Sequence, residues 1–141
     1  MAARQRVLFL CTHNSARSQM AEGLLRHHGG DAYEVFSAGT EATGVRPEAI
    51  AVMAELGIDI SGHQSKTLER YFREPFDWAI TVCDAACEAC PVLPGAAHRA
   101  HWDLDDPAAA QGSEDERLAV FRRIRDEIDD RVQRFVSSGA A

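Results

Sequence analysis

Cys11, Arg17 and Ser18 stand close together in the stretch "CTHNSARS", where their types and spacing suit attack on a tetrahedral anion. If a helix begins near Ala16, the backbone N–H groups of His13 to Ser18 can curl into a concave nest whose positive charge the helix dipole reinforces. Arg17 adds a permanently charged planar fork that can bind two oxygens at once, and Ser18 adds a hydroxyl donor. The same field favours the thiolate of Cys11, the form in which cysteine is a nucleophile. The competing reading is an inert cysteine at a strand end, because free cysteines are often buried. C-x5-R is by itself a short and common pattern. Here it also follows an apolar run, precedes a helical pattern and contains Asn14, Ser15 and Ser18, whose side chains can brace the loop.

Further chemistry lies downstream. Cys83, Cys87 and Cys90 complete the four cysteines of the chain. "MAARQR" followed by the short apolar run Val7 to Leu10 lacks the h-region of an export signal, and no run approaches the roughly 20 apolar residues of a membrane span. The expectation is a cytoplasmic protein without membrane attachment, where thiols are catalytic, redox-active or metal-binding rather than a disulfide framework. Cys83, Cys87, Cys90, His98 and His101 could form a zinc site, which would make the chain a metal-binding sensor or interaction module. Asp103, Asp105 and Asp106 are three rival proton donors, each of which could equally be a turn former. A net charge of -7 speaks against general nucleic-acid binding.

The elements that must hold these groups follow from pattern. Gln5 to Cys11 has no alternation and suits a parallel strand buried on both faces. A helix from about Ala16 carries Met20, Leu24 and Leu25 on one face and stops at Gly29 and Gly30; His27 and His28 suit its last turn. Tyr33 to Ala38 is a second strand. A second helix starts near Pro47 and ends at Gly57. "SKTLERYF" reads as a short helix capped by Ser65. "FDWAITVC", residues 76 to 83, gives a third strand and "HRAHWDL" a fourth, with His101 and Trp102 packed beneath the Asp106 loop. Ser113 caps a long amphipathic closing helix. Alternating strands and helices predict one doubly wound α/β domain over residues 1–141, with reactive groups at the carboxyl ends of its parallel strands. Cys11 and Cys83 both fall at such ends.

"CTHNSARSQMAEG" resembles the signature loop of the low-molecular-weight tyrosine phosphatases, and more closely that of the arsenate reductases sharing their fold. The resemblance continues through "FSAGT", "GIDISGHQSKTL", "TVCDAACEACP", "HWDLDDPA" and "FRRIRDEI", so it spans nearly the whole chain. It implies a four-stranded parallel sheet flanked by helices, with Cys11 as nucleophile and Thr12, His13, Asn14, Ser15, Ala16, Arg17 and Ser18 around the oxyanion. It selects Asp106, before Pro107, as the acid. "AAA" after Pro107 lacks the aromatic residues that eukaryotic tyrosine phosphatases carry there.

Cys83 and Cys90 match the second and third redox cysteines of the reductases, implying a Cys11/Cys83/Cys90 thiol-disulfide relay from arsenate to arsenite, regenerated by thioredoxin. Phosphomonoester hydrolysis is the alternative activity, or a weak side activity. The resemblance further implies arsenate, with phosphate or sulfate as analogues, as ligand, a monomer, and no bound cofactor. Cys87 departs from the pattern. Some relatives hold potassium with the counterparts of Asn14, Glu22 and Ser37 plus an aspartate; Lys66 occupies the aspartate's place, and its ammonium is expected to pair with Glu22 instead.

Overall fold

The computed structural model describes residues 4–84 and 93–141. Four strands, β1 (Gln5–Cys11), β2 (Tyr33–Gly39), β3 (Phe76–Thr81) and β4 (Ala96–His101), form one sheet in the order β2-β1-β3-β4. All three neighbouring pairs are parallel. The central strand β1 is apolar from Val7 onward because both its faces are covered there, and Val7 to Cys11 are buried.

The covering is unequal. Helices α1 (Arg17–Gly29), α2 (Pro47–Ala54) and α3 (Glu114–Ser138) share one apolar cluster with Val7, Phe9, Ile80 and Val82. On the opposite face Leu8, Leu10 and Ala79 meet Tyr71, Phe76 and Leu93. The closing helix is built as its sequence predicts. Ser113 and Glu116 form a reciprocal capping box, Phe121, Ile124, Ile128, Val132 and Phe135 are buried along one stripe, and Gly139 ends it in the left-handed region. Among the described residues no helix is long and apolar enough to cross a membrane.

Three boundaries differ from the sequence expectation. β3 stops at Thr81, two residues short of Cys83, where the Leu104 N–H donates to the Cys83 carbonyl and the chain leaves the sheet. β4 begins at Ala96 and ends at His101, because Phe76 pairs with Ala96 and fixes the register. The "SKTLERYF" helix shrinks to a 3₁₀ turn, Leu68–Tyr71, that Ser65 does not cap. Neither does His101 pack under the Asp106 loop. It is exposed and bonds Thr81 at 2.6 Å, while Trp102 is buried against Phe9.

Candidate active site

The loop from Cys11 to Arg17 sits at the carboxyl end of the central strand, where β1 meets Gly39 of β2. Its shape is set from outside. The Thr12 carbonyl accepts from Glu41 N–H and Thr40 Oγ1, the His13 and Asn14 carbonyls from Ser65 Oγ, and the Ser15 carbonyl from Arg46 N–H. With successive carbonyls drawn outward, the intervening N–H groups face the concave side, the geometry of an anion nest. Asn14 turns the corner at φ 49°, a left-handed conformation that asparagine tolerates better than most residues. Its N–H donates to Cys11 Sγ at 3.2 Å.

A directed chain of hydrogen bonds ends on the same sulfur. The Lys66 backbone N–H donates to Asn14 Oδ1 at 2.8 Å, which fixes the amide so that Asn14 Nδ2 donates to Ser18 Oγ at 2.8 Å. Ser18 Oγ lies 2.8 Å from Cys11 Sγ, with its proton available to a thiolate there. Two donors converge on a sulfur that is only 2 % exposed, and both are suited to hold negative charge there.

Arg17 begins α1 with its side chain 3 % exposed, its Nη1 donating to the Leu104 carbonyl and its Nη2 3.8 Å from Asp106. That guanidinium ties the Asp106 segment to the nest. Among the three rival aspartates, Asp106 is the one that lines the cleft of about 310 Å³ above the loop, with His13, Ser15, Arg46 and Ala108. Its carboxylate also accepts from Ala108 N–H. Asp105 turns to Arg123, and Asp103 lies by α3 with Glu127 and Arg131. His13 stands at the rim beside Glu41.

Cys83 is fully buried two residues beyond β3, its Sγ 3.8 Å from the carbonyl of Leu10, the residue before Cys11. Cys11 and Cys83 are both free thiols. Cys87 and Cys90 lie outside the described residues. The zinc constellation loses its other members to separate contacts. His98 stacks on Trp78 with ring centroids 5.0 Å apart, and His101 is held by Thr81.

Behind the nest, Glu22 is buried and fully engaged. Ser37 Oγ donates to it at 2.8 Å, Arg26 pairs with it at 2.8 Å, and His63 Nδ1 lies 3.2 Å away. The expected Lys66 to Glu22 contact is not formed: Lys66 Nζ donates to the Gln64 carbonyl at 2.6 Å, and Arg26 takes the carboxylate because it lies one helical turn away. This donor set does not fit a potassium ion, since Asn14 Oδ1 and Glu22 are already saturated by N–H and O–H groups and an ammonium stands nearby. Titrating potassium at constant ionic strength should leave melting temperature and turnover unchanged; a marked rise in either would contradict that assignment.

Gln19 and His63, which sequence reasoning passed over, complete the support. Gln19 Nε2 donates to Asn14 Oδ1 and to the Gln64 carbonyl, so its Oε1 faces His63 Nδ1 at 3.0 Å and requires a proton there. His63 Nε2 faces Arg26, which can only donate. The ring is thus neutral. Burial pushes its pKa down, with Glu22 opposing and Arg26 and Lys66 assisting. The unfolded chain therefore takes up a proton below about pH 6.5 that the folded chain resists, so stability falls as pH drops into that window. The decline in melting temperature between about pH 7.5 and pH 5.5 should be shallower in His63→Gln, which keeps a donor but does not titrate. Parallel slopes in the two proteins would contradict this role.

Residues 6–140 match the family model of the low molecular weight phosphotyrosine protein phosphatases, and the chain belongs to that family. Within it, the chain is similar to arsenate reductases. The arsenate reductase of Halalkalibacterium halodurans is 47% identical over 133 residues, covering 94% of this chain and 96% of that protein. A solved arsenate reductase in the phosphate binding state aligns with a TM-score of 0.81 at 35% identity, over 94% of this chain and 97% of that one. The thioredoxin-dependent arsenate reductase of Corynebacterium glutamicum aligns with a TM-score of 0.72 at 32% identity, over 97% of this chain and 62% of that one.

Proposed function

We propose that this chain reduces arsenate to arsenite, with Cys11 as nucleophile and electrons drawn from a thiol relay. The observation that carries the reading is a second buried thiol, Cys83, beside the strand end that presents Cys11. A phosphatase uses one thiol; two at neighbouring strand ends suit redox chemistry. Similarity to arsenate reductases at 47% identity supports the same choice.

The nest and Arg17 bind the oxyanion, and the Cys11 thiolate attacks arsenic while Asp106 gives a proton to the departing oxygen, which leaves as water. Cys83, as thiolate, then attacks Cys11 Sγ. The sulfur–arsenic bond breaks, its electron pair stays on arsenic, and arsenite leaves as a Cys11–Cys83 disulfide forms. Cys90 attacks Cys83 and frees Cys11, leaving a Cys83–Cys90 disulfide that an external dithiol of the thioredoxin class reduces. Such a cycle detoxifies arsenic in a reducing compartment, the cytoplasm, and needs no bound cofactor. Weak phosphomonoester hydrolysis is a natural side activity, because the nest accepts phosphate equally and Asp106 can protonate an ester oxygen.

The test is arsenate-dependent NADPH oxidation with thioredoxin and its reductase, run beside p-nitrophenyl phosphate hydrolysis. Reduction that dominates and is lost in Cys83→Ser supports the proposal. Robust hydrolysis unaffected by Cys83→Ser and Cys90→Ser, without arsenate reduction, would assign the chain to the phosphatases instead.

A further inference from the structure

On the side of the nucleophile loop away from the substrate cleft, a pocket of about 280 Å³ opens between Glu22, Arg26, His63, Lys66, Arg70 and Tyr71. Its charges do not cancel. Glu22 and Arg26 neutralise each other at 2.8 Å, and the neutral His63 adds nothing. Lys66 gives one of its three ammonium protons to the Gln64 carbonyl, and Arg70 lies over the Tyr71 ring at 5.8 Å. Among the described residues neither cation has a carboxylate partner, and the Tyr71 hydroxyl has no hydrogen-bond partner.

We propose that this pocket is a second oxyanion site, distinct from the Cys11 nest, which binds a tetrahedral phosphate dianion through Lys66, Arg70 and the Tyr71 hydroxyl. Two cations and a neutral donor lining one pocket match a phosphate group, whose charge-assisted bonds are roughly twice as strong as neutral ones. Burial disfavours the charged form of Lys66, and Arg70 and Arg26 add to that against the opposing pull of Glu22. A bound dianion would relieve this. The ligand is free inorganic phosphate or the phosphate of a small monoester, since both present the same group to these three residues.

The site is wired to the reaction centre. The residue that contributes the ammonium also donates its N–H to Asn14 Oδ1 at 2.8 Å and accepts from Gly39 N–H at 2.9 Å. Occupation would therefore hold the strut that orients Asn14 and Ser18 toward Cys11. The proposal does not depend on which reaction Cys11 performs.

Tyr33 and Tyr71 are the only two tyrosines, so fluorotyrosine labelling gives a pocket reporter and an internal control. Inorganic phosphate is titrated at constant ionic strength into labelled wild-type protein, Arg17→Ala and the Lys66→Met, Arg70→Met double variant, followed by fluorine NMR. The expected result is a saturable shift of the Tyr71 resonance in the wild type and in Arg17→Ala, with the double variant binding at least about tenfold more weakly. Glycerol 3-phosphate in place of phosphate tells the two sources apart, the tighter ligand being the physiological class. A flat Tyr71 resonance, or a shift unchanged in the double variant, would overturn the site. So would a shift lost in folded Arg17→Ala, because the nest would then be its origin. Should Arg17→Ala not fold, the comparison of wild type with double variant decides.

Discussion

Cys11→Ser should abolish arsenate reduction, with a loss of at least about three orders of magnitude in kcat, while still binding oxyanion. The nest donates through backbone N–H groups and Arg17, none of which the substitution removes. What disappears is the sulfur nucleophile itself. A serine hydroxyl at the same point receives the Asn14 N–H and Ser18 O–H, but those donors cannot bring an alcohol into the thiolate's range. Arg17→Ala should differ in kind. It removes the fork, the hydrogen bond to the Leu104 carbonyl and the tie to Asp106, so both oxyanion affinity and turnover should fall, turnover by on the order of 10³. Isothermal titration with phosphate beside steady-state reduction separates the two. Reduction that survives in Cys11→Ser would remove Cys11 as nucleophile, and undiminished phosphate binding by Arg17→Ala would remove Arg17 from the nest. Cys90→Ser should release one equivalent of arsenite per chain and then stall. Rapid multiple turnover in that variant would eliminate Cys90 from the relay.

The second large effect is expected at Gly39, where no residue with a side chain fits. A Cβ built there would stand 2.7 Å from the Thr12 carbonyl oxygen, 2.8 Å from the Asn14 nitrogen and 2.8 Å from the Cys11 carbonyl oxygen. All three are backbone atoms of the loop, so the clash cannot be relieved by a rotamer change. Gly39→Ala should therefore cost about 1–3 kcal/mol of stability by overpacking, and far more in activity, because the displaced atoms are the nest itself. The check is a thermal melt beside arsenate turnover and phosphate binding: a folded protein with a modest drop in melting temperature and turnover reduced by on the order of 10²-fold. Unchanged turnover would mean that the loop tolerates the shift and is not held to close tolerance.

The nest was legible because its chemistry is local. Cys11, Arg17 and Ser18 are close in sequence, the strand leading to them is apolar from Val7 to Leu10, and the helix after them has a clear stripe. Parallel pairing followed from the alternation of elements, and the four-stranded sheet from the resemblance, whereas the order β2-β1-β3-β4 emerged only from the structure. What stayed hidden is what reaches the loop from far away. Ser65 read as a cap because serine before a polar run suits a helix start, yet its hydroxyl serves His13 and Asn14 more than fifty residues earlier. Gln19 and His63 carried no signal, since an amide on a helix and a histidine near a turn are ordinary. The Lys66 pairing failed because a sequence shows charge but not that Arg26, one turn from Glu22, has the shorter route. β4 was misplaced because Ala96 and Ala97 have weak strand preference, and pairing with Phe76 overrides it. Residue chemistry alone left Asp103, Asp105 and Asp106 as rivals; the Asp-Pro pair of the resemblance selected Asp106, and the side-chain directions agree, since Asp106 alone of the three lines the cleft above the loop.

The outward ties of the loop carry one more consequence. Thr40, Glu41 and Arg46 follow β2, while Ser65 and Lys66 precede the 3₁₀ turn, so the cradle is closed by segments distant from Cys11 in the sequence. The stretch from 11 to 17 cannot take its concave form on its own, because its carbonyls would have only water to hold them. During synthesis and refolding Cys11 is then a commonplace thiol, without its oriented donors. The concave form therefore arises only with the tertiary contacts, which makes oxyanion binding by the loop a direct reporter of completion of the native state.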